Sequence, residues 1–345
     1  MPVGPQLLSS GGNAITAAND PNGNFQYQRH FQLLVTDLAG NSLDFSQLHC
    51  KFQVKRSSNQ TPNVADIRVY NMDLTTANLL YQNLQPYTNK SLITSTKGQV
   101  IIQGGYDSNY GVIFKGNIKQ IILGRESATD TFVDFNCGDG AFAYNYAIVN
   151  TTMAGGSSQA TQLQQIAAPM KNMGTSLNPT MPAFQPKILP RGKTIWGTSK
   201  DYLRNIASQN GLIWSIQNGQ IQFVPQNGYS PGVSVVLTSK TGMIGTPQQT
   251  NIGVNVVCLM NPLINPGQTI QINEKSIAKL KLDLGNPNDP ANTAPPLNAD
   301  GVYYALIIDQ IGDNRGVDWY SKLTCLTVKP SGNPYNSVAG SYGVS

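Results

Sequence analysis

The chain has 345 residues and a mass of 37.2 kDa, enough for two or three domains that each bury a core without covalent help. Charged residues make up only 12%, about half the usual quarter. The formal charge of +5 reads as spread along the chain, with its densest basic stretch in "KFQVKR" at 51–56 alternating with apolar residues; this excludes a sequence-reading nucleic-acid module.

With so few ions, the surface is supplied by Asn, Gln, Ser, Thr and Gly. Neutral polar groups cost less to desolvate than ions, so such a surface suits a component packed against neighbours in an assembly. A neutral extracellular-type β protein is the competing reading. Cys50, Cys137, Cys258 and Cys325 stand far apart inside strand-like runs and are expected to be buried thiols of a chain folded in a reducing cytoplasm, with a long-range disulfide as the alternative. No apolar run approaches roughly 18 residues, and no basic start followed by an apolar core is seen, so neither a membrane anchor nor an export signal is expected.

In chain order, "FQYQRHFQLLVTD" places Phe25, Tyr27, Phe31, Leu33 and Val35 on one side of an extended segment, the period of two that a half-buried strand requires. "LHCKFQVKR" repeats this with Leu48, Cys50, Phe52 and Val54, and "ADIRVYNM" is a shorter strand. Asn71 to Asp73 should cap a helix over "LTTANLLYQNL", with Leu74, Leu79 and Leu80 on one side. Three long strands, "GQVIIQGGY", "GVIFKGNIKQIILG" and "DTFVDFNCG", follow across short turn-rich links, which makes neighbours antiparallel. Residues 1–148 therefore read as one antiparallel sheet closed as a barrel, with a short helix.

The composition shifts at "TTMAGGSSQ". A helix follows with Leu163, Ile166, Ala167 and Met170 at helical spacing, kinked at Pro169 and stopped at Gly174. After a Pro-rich stretch, Thr198 or Ser199 caps a second helix carrying Tyr202, Leu203, Ile206 and Ala207, ended by Gly211. Asn218-Gly219 then joins two strands in "LIWSIQNGQIQFVP", the strongest short hairpin signal there is. This is a small α/β module over 149–235. Strands return in "VSVVLTS", "NVVCLM", "QTIQI", "VYYALIIDQIG" and "WYSKLTCLTV", a second β domain over 236–330. The "NPG" at 265–267 reads as the turn of a hairpin that brings Val256, Cys258 and Met260 back as the next strand. Residues 331–345 read as a flexible tail. The fold class is thus mainly β (α+β): two antiparallel β domains with an inserted α/β module.

No catalytic motif emerges. The only histidines, His30 and His49, lie in predicted strands, and no Cys-x-x-Cys or His-x-x-x-His spacing exists for a metal. "GDG" at 138–140 and "QGGY" at 103–106 lack the frame and the Lys of a phosphate loop and read as turns. Asp134, Asp139, Asp309, Asp313 and Asp318 are the candidates for a paired-carboxylate glycan hydrolase, although Asp139 and Asp313 sit where Asp caps turn amides. Tyr144 with Tyr146, Tyr303 with Tyr304 and Trp319 with Tyr320 look like a stacking platform for sugars or bases; core and subunit contacts are the stronger reading. No enzyme, cofactor or metal is expected.

Five stretches in order carry a resemblance: "ADIRVYNM"; "VIIQGGY...GVIFKGNIKQI...FNCGDG"; "TIWGTSKDYLRNIASQNGLIWSIQNGQIQFVP"; "VVCLMNPLINPGQTIQI"; and "YYALIIDQIGDNRGVDWYSKLTCL". Together they resemble the hub proteins of bacteriophage tails, the group that includes phage late control protein D and the baseplate hubs of contractile and long flexible tails. The resemblance implies a homotrimer whose chains each supply two tail-tube-like β-barrels, joining a sixfold tail tube protein to a threefold central spike protein. It also implies contacts with other baseplate proteins and the tape measure protein, a lumen through which DNA passes without sequence-specific binding, and a place in the virion after assembly in the host cytoplasm. Trp319 and Tyr320 are the expected subunit-interface anchors. The hub of a tail-like bacteriocin or other contractile injection machine is the first alternative, and a glycan-hydrolysing or receptor-binding tail protein the second.

Overall fold

The computed structural model describes residues 28–327 apart from 38–39, 87–97, 108, 183, 185–186, 227, 231–233, 251–252, 273–276, 279–296 and 298–300. The expected strand residues Phe25 and Tyr27 and the tail expected at 331–345 lie outside the described residues.

In the first third the strands are β1 (Arg29–Thr36), β2 (Ser42–Asp44), β3 (Cys50–Ser57), β4 (Val64–Tyr70), β5 (Gln99–Tyr106), β6 (Asn109–Arg125) and β7 (Thr131–Gly138), with helix α1 (Leu74–Leu84) after β4. Alternation drives them. In β3, Cys50, Phe52 and Val54 turn inward while Lys51 and Lys55 face solvent. Asp73 caps α1 by accepting from the Thr76 N–H, as the sequence suggests, but the helix buries Ala77, Leu80 and Leu84. Leu74 and Leu79 stay exposed, because the 3-4-spaced set 77, 80 and 84 defines the stripe that meets the sheet.

The middle third holds α2 (Ala141–Tyr146), β8 (Ile148–Met153), α3 (Gln159–Asn172), β9 (Ser176–Leu177), β10 (Lys193–Thr198), α4 (Ser199–Gln209), β11 (Leu212–Gln217) and β12 (Gln220–Pro225). Ser158 caps α3, which runs three residues past Pro169. Leu163, Ile166, Ala167 and Met170 are all buried in it. Thr198 is the N-cap of α4, and Gly211 follows it at φ 65°. Asn218 and Gly219 both take positive φ, 53° and 78°, the signature of a type I′ turn, and β11 and β12 pair across it. The helices and β8–β12 enclose one core around the fully buried Trp214. Helix α2, which the sequence did not announce, starts at Gly140 in the left-handed region.

The last third contains β13 (Val235–Leu237), β14 (Met243–Gln249), β15 (Val254–Leu259), β16 (Thr269–Ile272), β17 (Val302–Asp313) and β18 (Trp319–Thr327). Here the expected hairpin at 265–267 is corrected. β15 pairs with β14 and β18, whereas β16 pairs with β13 and β17. The "NPLINPG" segment is therefore a crossover between strands that do not pair with each other.

Among the described residues, thirteen strands form one sheet, ordered β14-β15-β18-β17-β3-β4-β7-β6-β5-β1-β2, with β16 joined to β17 and β13 to β16. The pairs run as an open path, and none closes either half on itself. The joint is β17. Its start pairs with β16 from Val302 to Tyr304, and its remainder pairs with β3 from Ile307 to Asp313. One strand thus belongs to both halves.

Candidate functional site

The residues singled out as chemical candidates resolve into structural contacts. Arg68 grips Asp134 through Nε and Nη2 at 2.8 and 2.9 Å. Gln53 donates to both oxygens of Asp309 at 3.0 Å. Asp313 sits at the β17–β18 turn and takes hydrogen bonds from His49 Nε2 and the amides of Arg315 and Gly316. Burial would raise its pKa, but these donors outweigh it and hold the carboxyl below the usual carboxylate range. Asp318 closes the same turn, its carbonyl accepting from the Asp313 N–H. His30 stacks on Tyr110 with ring centroids 3.8 Å apart. No cluster of three metal-ligating side chains occurs among the described residues. All four cysteines are buried and free; burial raises every one of the thiols, Cys50 and Cys258 to about 12.

The polar groups that converge do so at the junction of the three parts of the chain. Asp139, fully buried after β7, accepts from the N–H groups of Asn218 and Gly219 at 2.6 and 2.7 Å, so the "GDG" turn fastens the tip of the β11–β12 hairpin. Asn63, before β4, donates to Ile216 O and Gln217 Oε1, both at 2.9 Å. Gln217 donates in return to Ser57 O at 2.7 Å. On the other side of β3, Arg56 is 1% exposed and donates to Ile264 O and Asn265 Oδ1 of the crossover at 2.9 and 3.0 Å. Burial lowers its pKa to about 10, so it keeps its charge at neutral pH and faces the field of Asp139. Burial pushes that carboxyl up to about 6 against the pull of the Gly219 and Asn218 amides, Asn63 and Arg56.

This polar knot answers what the rigid Asn-Pro and Pro-Gly turns at 261–267 are for. Pro fixes φ, and Gly267 takes +93°, which sets the crossover carbonyls where a buried guanidinium meets them. In the sequence Arg56 stands only as the last cation of the basic stretch "KFQVKR". The signal that would have found it is phase, since it continues the inward alternation of Cys50, Phe52 and Val54.

The expected anchors separate. Trp319 is 2% exposed. Its ring stands edge-on to Phe31 and Phe52, at 6.2 and 5.5 Å, and its Nε1 donates to Gly105 O at 3.1 Å. The first strand of the last hairpin makes this fit possible. Gly312 lies opposite both Phe52 and Trp319, and a Cβ there would stand 2.3 Å from the Phe52 ring. Trp319 therefore belongs, with Met260, to the core of the first third. Tyr320 is half-buried, with Lys322 Nζ 5.5 Å above its ring.

The net charge is also placed differently from the expected even spread. Residues 149–235 carry six Lys and Arg against Asp201 alone, and the 17 basic and 17 acidic residues elsewhere cancel. The whole +5 resides in the α/β module.

Solved structures that share the fold include the following three. The 43 kDa tail protein of prophage MuSo2 from Shewanella oneidensis superposes with a TM-score of 0.52 at 8% identity, over 86% of this chain and 97% of its own. A tail protein from Neisseria meningitidis MC58 gives 0.52 at 11% identity, covering 87% and 96%. The E. coli c3393 protein, described as a component of the type VI secretion system with structural similarity to T4 bacteriophage tail proteins gp27 and gp5, gives 0.51 at 11% identity, covering 86% and 77%. No curated protein matches the sequence. The model of one family, baseplate hub gp41, matches residues 34–277. That span holds β3 with its inward Arg56, the Asp139 turn, the α/β module and the crossover; the chain belongs to the baseplate hub gp41 family, among the structural proteins of phage tails and baseplates.

Proposed function

We propose that the chain is the homotrimeric hub of a phage baseplate, a symmetry adaptor between a sixfold tail tube and a threefold central spike, akin to the hubs of the late control protein D group. In this reading residues 1–148 and 236–330 act as two tube-like barrels, the module at 149–235 decorates the ring, and residues 331–345 form a tail. Three copies, two β units each, present six similar faces to the tube protein. The lumen passes DNA without reading it, and other baseplate proteins and the tape measure protein complete the neighbourhood. The particle is assembled in the host cytoplasm.

The observation that carries this reading is β17. A strand shared by both β units, backed by the buried Arg56–Asp139 knot, fixes one unit against the other. An adaptor needs that fixed geometry, because two units free to swing could not keep a common spacing around a ring. The weakly charged β units favour broad contacts at little ionic desolvation cost. Tyr320 is the proposed interface anchor that keeps accessible surface, while Trp319 acts through the frame that presents it.

Light scattering on the purified chain, with and without its spike, tests the proposal. A species of about 112 kDa, three times 37.2 kDa, is expected. A chain that stays monomeric with the spike would overturn the trimer. The hub of a tail-like bacteriocin or injection machine shares the trimer, the tube and the spike of this reading but passes no DNA, and is distinguished by whether purified particles contain DNA.

A further inference from the structure

The inward side of the shared sheet is not apolar throughout. Along β17 and β18 it passes from Ile308 and Leu323, which belong to the core of the last third, to Gly312 and Trp319, which stand against Phe52 in the core of the first third. Between them lie Gln310 and Ser321, opposite each other in the register. Val54 of β3 and Cys258 of β15 flank this pair in the same row. Arg56, two residues beyond Val54 on the same side of β3, is diagonal to Gln310. A polar row therefore separates the two cores at the strand that serves both.

These side chains are sealed from solvent. Arg56, Gln310 and Ser321 are each at most 1% exposed. Ile264 O and Asn265 Oδ1 meet the terminal nitrogens of Arg56, but its Nε has no hydrogen-bond partner among the described residues, and neither have Nε2 and Oε1 of Gln310 or Oγ of Ser321. Directly opposite positions on a sheet face are close enough for side chains to interact, yet Gln310 and Ser321 do not bond to each other. A buried polar group without a partner forfeits its hydration and gains nothing for it, which is why native interiors leave so few. Here the unmatched atoms are neighbours on one face of three adjacent strands.

The chemistry of these atoms selects the ligand. Arg56 Nε and Gln310 Nε2 are donors and need an acceptor, Gln310 Oε1 is an acceptor and needs a donor, and the Ser321 hydroxyl serves either way. A halide would meet the donors and leave Oε1 unmet, while a metal cation would be repelled by the guanidinium. Water both donates and accepts, and a buried water ordinarily makes about three such bonds. We infer that internal water, held by the Gln310 amide, the Ser321 hydroxyl and Arg56 Nε, fills the seam between the two cores. It ties β3, β17 and β18 together through their side chains, in addition to the backbone pairing. The site lies within one chain and does not depend on the oligomeric state of the hub.

The test is water–protein nuclear Overhauser spectroscopy on the full chain with isotopically labelled glutamine. The side-chain amide of Gln310 should give cross peaks to water with the sign that slowly exchanging internal water produces. Its resonance is identified by its loss in Gln310→Met, or, should that variant not fold, by the shift that the milder Ser321→Ala imposes on it. An amide with cross peaks to neighbouring side chains alone would overturn the site. Magnetic relaxation dispersion of the water signal supplies an independent count. The double variant Q310M/S321A should hold fewer long-lived waters than the wild type, and an unchanged count in the folded variant would overturn the assignment to these residues. Exchange of chloride for bromide in the buffer should leave the Gln310 amide shifts where they are. Movement of those shifts with the halide would make the ligand an anion and overturn the assignment to water.

Discussion

Replacing Trp319 by Ala tests whether this side chain acts through its own chain or through a neighbour. The indole is almost wholly enclosed, meets two aromatic rings edge-on and donates one buried hydrogen bond to Gly105. Truncating a buried Trp costs about 3–5 kcal/mol. The upper part of that range applies, because each edge-on pair is worth about 0.5–1.5 kcal/mol beyond burial and the carbonyl left without its donor costs about 1 kcal/mol or more. We expect a loss of about 4–5 kcal/mol for W319A and about half of that for W319F, which keeps a ring between Phe31 and Phe52 but lacks the N–H. Denaturant unfolding of the isolated chain, followed by near-ultraviolet circular dichroism, reads both. A loss under about 1 kcal/mol in W319A, with assembly abolished, would refute the reasoning and return Trp319 to the subunit interface.

Protonation of Asp139 should leave its mark on stability. The folded carboxyl titrates near 6, above its ordinary 3.8, so the native state holds the proton more tightly and stability falls as pH rises through that interval, by about 3 kcal/mol. Unfolding midpoints measured between pH 4 and 7 should show this slope, and D139N should flatten it. Arg56→Met should cost about 3 kcal/mol, because it orphans Ile264 O and Asn265 Oδ1; the same pH series should then show the Asp139 midpoint moved above 6, since its nearby cation is gone. A thiol reagent at neutral pH should modify none of the four buried cysteines in the folded chain and all of them in denaturant; mass spectrometry counts the adducts.

Local features of this fold were legible because they need only near neighbours in sequence. The alternation of β3, the stripes of α3 and α4 and the Asn218-Gly219 turn each express a period or a dihedral, and each sits where the sequence placed it. Partner choice is another matter. The runs 254–259 and 269–272 are strands, as read, but periodicity tells which face a residue takes and not which strand lies beside it. The rigid turn between them therefore passed for a hairpin when it is a crossover. Nothing within ten residues of Trp319 announces Phe31, Phe52 and Gly105, so its enclosure is not legible in the local sequence. The knot at Arg56 and Asp139 was hidden for a related reason: its members lie in three parts of the chain, and each alone resembles an ordinary surface cation or turn carboxylate. The charge of the module needed no structure, only counting by segment.

The double allegiance of β17 has a consequence for how the molecule is made. The edge of β3 is covered by Ile307–Asp313, paired with residues from Ser57 back to Lys51, so its partner is synthesised about 250 residues later. At about 5–20 residues per second, that edge waits roughly 12–50 s in the nascent chain. Closing so long a loop slows folding, and an uncovered edge invites another strand. A polypeptide halted anywhere before β17 would expose this edge permanently, which makes such fragments the aggregation-prone species during overproduction and assigns to the last hairpin the task of ending that exposure.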